Sequence, residues 1–218
     1  MDKNFVVLAA SEASIESLLT ELHIEKGHKL YEPAAAIFEA SLKVARPTAL
    51  YAPFTPEITD EVVLINGVAF KEPFVHEMLS DSVIVVPYVA TCGTEIDEWT
   101  NQFTNIMDQY IADAVKESLL KAVREKMLAE VQEKYFDEKK SISRLNPGSL
   151  NQWPISGQTP LFKVLGGVTD DIGVILKESL LMIPVKSVSG IIFQTETPFH
   201  NCQLCPRLNC PGRSAPYQ

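Results

Sequence analysis

A basic surplus is what this sequence most plainly lacks. Its 28 acidic and 19 basic residues leave 218 residues with a net charge of −9. Phosphate backbones need a clustered positive patch, so nucleic acid is not an expected partner. A long apolar run is missing from the N-terminus as well. FVVLAA, at 5–10, is far too short for a membrane span, and the acidic residues after it do not fit a transit peptide. The expectation is a cytoplasmic protein with no membrane partner. Cysteine is scarce too: Cys92 stands alone, while Cys202, Cys205 and Cys210 crowd into nine residues. With 46% hydrophobic and 22% charged residues the chain can bury one large or two small cores without disulfide staples.

Internal repeats and low-complexity tracts are likewise absent, so organisation must be read from periodicity. Ile15, Leu18, Leu19 and Leu22 share one helical face within about 13–27, and Pro33 should stop that helix. Apolar, partly β-branched segments at 35–44, 61–65 and 83–88 predict strands, with a short helix over Pro73–Leu79. Thr94 or a neighbour is the expected cap of a long helix from about Glu95 to Tyr135. It contains neither Pro nor Gly, but its length invites a break. Further on, 160–165 predicts a short helix, 170–178 a helical or irregular lead-in, and SVSGIIF a strand. These elements do not alternate regularly, which favours α+β over a doubly wound sheet. The expected division is one domain over 1–198 and a Cys-rich tail over 199–218.

Four constellations carry chemistry. At about 100° per residue, Phe103, Ile106, Met107, Tyr110 and Ala114 share an arc that should be buried, with Glu117 inside it and Asp113 at its edge. Two carboxylates four apart on such a face either receive a cationic or hydrogen-bond-donating ligand or pair with Lys121 or Arg124. In RLNPGSLNQWP, 144–154, Pro147-Gly148 marks a turn whose glycine admits close approach, and an exposed Trp153 follows. Arg144 is either a solvated surface group or a planar fork for a carboxylate. Ser187, Ser189 and Gly190 make a small-residue strand that is either a narrow core edge or a place for a bulky group to approach. Finally, His200, Cys202, Cys205 and Cys210 have metal-ligand spacing. Completion by His200 suits zinc, completion by Cys92 or an outside ligand suits an iron–sulfur cluster, and a set of free thiols is the third reading.

The segments RLNPGSLNQWP and LKESLLMIPVKSVSGIIF, about twenty residues apart, together with the helix IADAVKESL, resemble the vitamin B12-dependent methionine synthase activation domain family. The likeness runs over roughly 80–195 and more loosely before it. It implies an α+β fold with a bent, mainly antiparallel sheet and flanking helices. It also implies binding of S-adenosylmethionine and capping of a cobalamin module during reductive remethylation. Carried across by position, Asp113 and Glu117 would face the ligand's amino and sulfonium groups. Arg144 would meet its carboxylate, and the backbone of Asn146 and Gly148 would lie along it. Ser149 stands where the family has Tyr, leaving Trp153 as the candidate replacement facing the cobalamin. The implied role is a stand-alone reactivation subunit with no covalent catalytic residue. It would act on a methionine synthase core or another corrinoid protein, with ferredoxin, flavodoxin or a cluster on the tail as electron donor. The rival is a non-catalytic corrinoid-delivery protein with a structural zinc. A doubly wound S-adenosylmethionine methyltransferase is disfavoured, because no Gly-rich loop follows the first apolar segment.

Overall fold

The computed structural model describes residues 2–207, 209, 210, 213 and 215–217. In chain order the elements are β1 Asn4–Val7, α1 Ile15–Glu21, α2 Tyr31–Ser41, β2 Thr48–Tyr51, β3 Glu57–Ile58, β4 Val63–Ile65 and β5 Val68–Phe70. There follow α3 Pro73–Leu79, β6 Val85–Thr91, α4 Thr94–Trp99, α5 Ile106–Tyr135 and β7 Ser141–Leu145. The chain continues through α6 Gln158–Leu165, α7 Val168–Ile172, β8 Ile175–Leu176, β9 Met182–Ile183 and β10 Ser187–Thr195. Among the described residues no helix is long and apolar enough to cross a membrane.

The main sheet has the order β1-β2-β6-β10-β7, and every pairing in it is antiparallel. β6 lies in the middle with all seven residues buried, so it serves cores on both faces. On one face Val86, Tyr88 and Ala90 pack with Ala49, Tyr51 and Ile192 under α5. That helix contributes Ile111, Val115, Leu119, Val123, Met127 and Val131, and α1 and α2 close the same layer. On the other face Val85, Ile191 and Phe193 meet α3, α6 and the small β3-β4-β5 sheet. The result is a mixed α and β domain with an antiparallel sheet between helical layers, as the α+β reading expects.

Two expectations fail locally. The segment 35–44 is no strand: it belongs to α2, whose buried residues Ala34, Ile37, Phe38 and Ser41 follow the helical spacing. Pro33 stops nothing because it sits in the first turn of α2, where a missing N–H costs no hydrogen bond. The long helix does break. Gly93, the neighbour of Thr94, is the cap of α4. The Asn105 side chain then accepts from the Met107 N–H at 2.7 Å and starts α5 anew. An Asn cap thus interrupts the helix where no Pro or Gly does.

The pairing of β10 with β6 and β7 depends on Gly190. A Cβ there would press on the Leu145 carbonyl and lie 2.5 Å from Asn146 Nδ2 and 3.0 Å from the Tyr88 ring. Gly190→Ala is expected to lower stability by about 2–3 kcal/mol, since overpacked cores relieve a new methyl only by moving backbone. Urea unfolding checks this; a loss within 0.5 kcal/mol (about the size of a neutral surface change) would show that the strands give way easily.

Candidate functional site

Helix α5 presents the acid pair on a different side from the one its N-terminal pattern suggests. The arc expected to be buried looks outward: Ile106 is 83% and Tyr110 60% exposed. The buried face runs instead through Ile111, Val115, Leu119, Val123, Met127 and Val131, about one residue step around the helix. That longer apolar series crosses the sheet and sets the phase of the whole helix, overriding its first two turns. Asp113 is consequently exposed and Glu117 half-buried.

Their partner is neither Lys121 nor Arg124. Lys186 Nζ lies 3.0 Å from Asp113 Oδ2 and 3.2 Å from Glu117 Oε2. Lys186 immediately precedes β10, and its carbonyl accepts from the Cys92 N–H at 3.0 Å, which anchors it beside the end of β6. Burial opposes the lysine's charge, but hydrogen bonds to Asp113 and Glu117 outweigh it and hold its pKa above the usual lysine value. An open cleft of about 370 Å³ borders Asp113, lined by Thr100, Asn101, Phe103, Gln109, Ala112 and Lys116.

Arg144 lies within β7, opposite Ile192, one residue before the strand ends. Directly opposed residues share a face, so it projects on the α5 side with Ile192. Among the described residues its guanidinium makes no hydrogen bond or ion pair. The acid pair meets Lys186 just before β10 begins, and the half-exposed Arg144 stands opposite Ile192, just past the middle of that strand.

The turn after β7 is built from within. Ser149 N–H donates to the Asn146 carbonyl at 3.1 Å, with Pro147 and Gly148 between and Gly148 at φ +81°, as a type II turn requires. Gly148 N–H donates to the Trp153 carbonyl at 2.8 Å, and a Cβ at 148 would come 2.8 Å from Ile155 Cδ1. The glycine therefore serves the turn itself. Asn146 Nδ2 donates to Tyr88 Oη at 2.7 Å and to the Ser189 carbonyl at 2.8 Å, tying the turn to β6 and β10. Tyr88 is a site-supporting residue that the sequence reading missed, while Ser189 belongs to the small-residue strand it singled out.

Trp153 corrects an expectation. It is only 1% exposed, stands edge-on to Phe70 at 6.4 Å, and leaves no room for a Cβ at Gly157. An indole in the core cannot face a partner's cobalamin, whereas Ser149 is exposed on the turn.

The tail begins by docking on β7. Phe199 N–H donates to Ser143 Oγ at 2.9 Å, and Asn201 Nδ2 donates to Asn146 Oδ1 at 3.1 Å. Beyond that the organiser is Arg213, whose guanidinium donates to the carbonyls of Cys202 (2.7 Å), Cys205 (2.8 Å), Arg207 (2.8 Å) and Ala215 (3.0 Å). Among the described residues no group of three or more His, Cys, Asp or Glu side chains is placed to hold a metal. His200, Cys202, Cys205 and Cys210 form no such group among the described residues, and the carbonyls of this segment gather on Arg213. Cys92 cannot complete them: it is buried in the α5-side core, and burial pushes its thiol up to about 12.

Fold and side chains together describe an α+β domain with charged groups along an open strip beside its longest helix. The family model "Vitamin B12 dependent methionine synthase, activation domain" matches residues 72–203. The crystal structure of the MetH reactivation domain bound to AdoHcy is similar in fold. Its TM-score is 0.65 at 14% identity, covering 92% of this chain and 80% of that one. No curated protein matches the chain. The chain belongs to the activation-domain family of vitamin B12-dependent methionine synthase.

Cys92 should resist iodoacetamide in the folded protein at pH 8 and react once urea is added, because a buried neutral thiol offers no thiolate. Mass spectrometry of labelled peptides reads this directly. Fast labelling without denaturant would show that this part of the core opens.

Proposed function

We propose that this protein reactivates a cobalamin-bearing methionine synthase module, holding S-adenosylmethionine in the strip between the N-terminal half of α5 and the β10–β7 edge. The observation that carries this reading is the charge arrangement: two carboxylates beside the start of β10 and an uncommitted guanidinium just past its middle. S-adenosylmethionine is zwitterionic at its amino acid and cationic at sulfur. An extended ligand with charges of both signs matches a site with charges of both signs. Family membership supports the same reading, as does the AdoHcy bound by the neighbouring structure, AdoHcy being S-adenosylhomocysteine.

The partner's cobalamin is the substrate in this scheme: it takes one electron from an external low-potential donor such as ferredoxin or flavodoxin, then the methyl group. The C–S bond breaks with its electrons on sulfur, leaving S-adenosylhomocysteine. This chain's residues act by placement. Asp113 and Glu117, already shared with Lys186, face the ligand's amino and sulfonium groups, and Arg144 takes the carboxylate in its planar fork. Asn146 keeps the turn against β6 and β10, so that the exposed Ser149 side of the turn is presented to the partner. Holding two reactants in line lowers the barrier through proximity, with no covalent bond to the protein.

The test is anaerobic. A methionine synthase core held in the cob(II)alamin state is mixed with this protein, S-adenosylmethionine and a low-potential reductant while the visible spectrum is followed. Methylcobalamin is expected to form only when the protein is present. Glu117→Ala and Arg144→Ala should each slow it about tenfold or more, as loss of a charge-assisted contact to a bound ion implies. Equal rates with and without the protein would sink the reading.

A further inference from the structure

Lys186 occupies the place where a cationic ligand would be held. Its Nζ touches both carboxylates, at 3.0 Å and 3.2 Å, while the carboxylates keep 57% and 45% of their side-chain surface open. Asp113 and Glu117 therefore have an internal counter-ion and a free outer side. The lysine's backbone is fixed by the bond from Cys92 N–H to its carbonyl. The group is thus a built-in third charge and not a passing contact.

The count of charges gives it a consequence. Asp113 and Glu117 alone carry two negative charges, matching an ammonium plus a sulfonium. With Lys186 in place one negative charge remains, enough for the ammonium alone. Methyl donor and demethylated product differ by one positive charge: the sulfonium is cationic and the thioether neutral. We propose that Lys186 determines ligand specificity at this site, narrowing the preference for the sulfonium donor over the thioether product by neutralising half of the acid pair. The inference rests on the ligand reading given under Proposed function. It concerns how strongly the site distinguishes two ligands that the reading places in the same strip.

The experiment is calorimetric titration of the whole protein with S-adenosylmethionine and with S-adenosylhomocysteine, in the wild type, Lys186→Met and Lys186→Arg. Lys186→Met keeps the length of the side chain and removes its charge. It is expected to raise the ratio of donor to product affinity about fivefold, the effect of one unit charge a few ångströms away in a wet environment. Lys186→Arg should keep the wild-type ratio, and the gain in Lys186→Met should shrink as salt is added. Lys186→Gln serves as the neutral variant if Lys186→Met does not fold. A neutral variant that weakens both ligands equally, or leaves the ratio unchanged, overturns the proposal and shows Lys186 to be a brace between α5 and β10. Binding of neither ligand by the wild type and every variant overturns the ligand reading and this proposal together. Binding that is absent in the wild type and gained for the donor in the neutral variants supports it in its strongest form.

Discussion

The apolar seam between α5 and the centre of the sheet is the contact on which the rest of the molecule depends. Val86, Tyr88, Ala90 and Ile192 offer a surface buried from both sides, and Ile111 through Val131 answers it along most of a 30-residue helix. Burial of that many side chains outweighs any local preference in the helix's first turns, because each buried aliphatic contributes about 1.5–3 kcal/mol. The phase it imposes turns Ile106 and Tyr110 outward. It also places Asp113 and Glu117 beside the start of β10, within reach of Lys186, and so determines where charge lies on the strip.

A second set of contacts holds the β7 turn in place. Gly190 lets the Leu145 carbonyl and Tyr88 come close, and Asn146 fills the resulting corner with bonds to Tyr88 Oη and the Ser189 carbonyl. Asn201 bonds the same amide from the tail. Three segments distant in sequence thus meet at one side chain. A half-buried amide with these partners is satisfied, which suits a rigid wall better than a mobile loop. Trp153 lies behind that wall and supports it from the core.

Much of this was legible beforehand where the signal is local. Pro73–Leu79 appears as a helix where Pro opens it, and SVSGIIF is a strand as its β-branched run predicts. The order of RLNPGS and SVSG carries the family likeness, and the two segments are neighbours across β7 and β10. What misled was equally local. Pro33 reads as a stop and serves as a helix start. Trp153, among polar and turn residues, reads as exposed and is buried.

By itself the sequence determined the class of fold, the family and the kinds of charge available, since these follow from short-range pattern and residue type. It also determined that Asp113 and Glu117 stand four apart on one helix, a matter of spacing alone. Only the tertiary structure decided which way that helix faces, that Lys186 and not Lys121 or Arg124 meets the acids, and that Trp153 supports the turn from inside. Each of these depends on which of several competing apolar surfaces is buried, and that competition is settled by the whole core together.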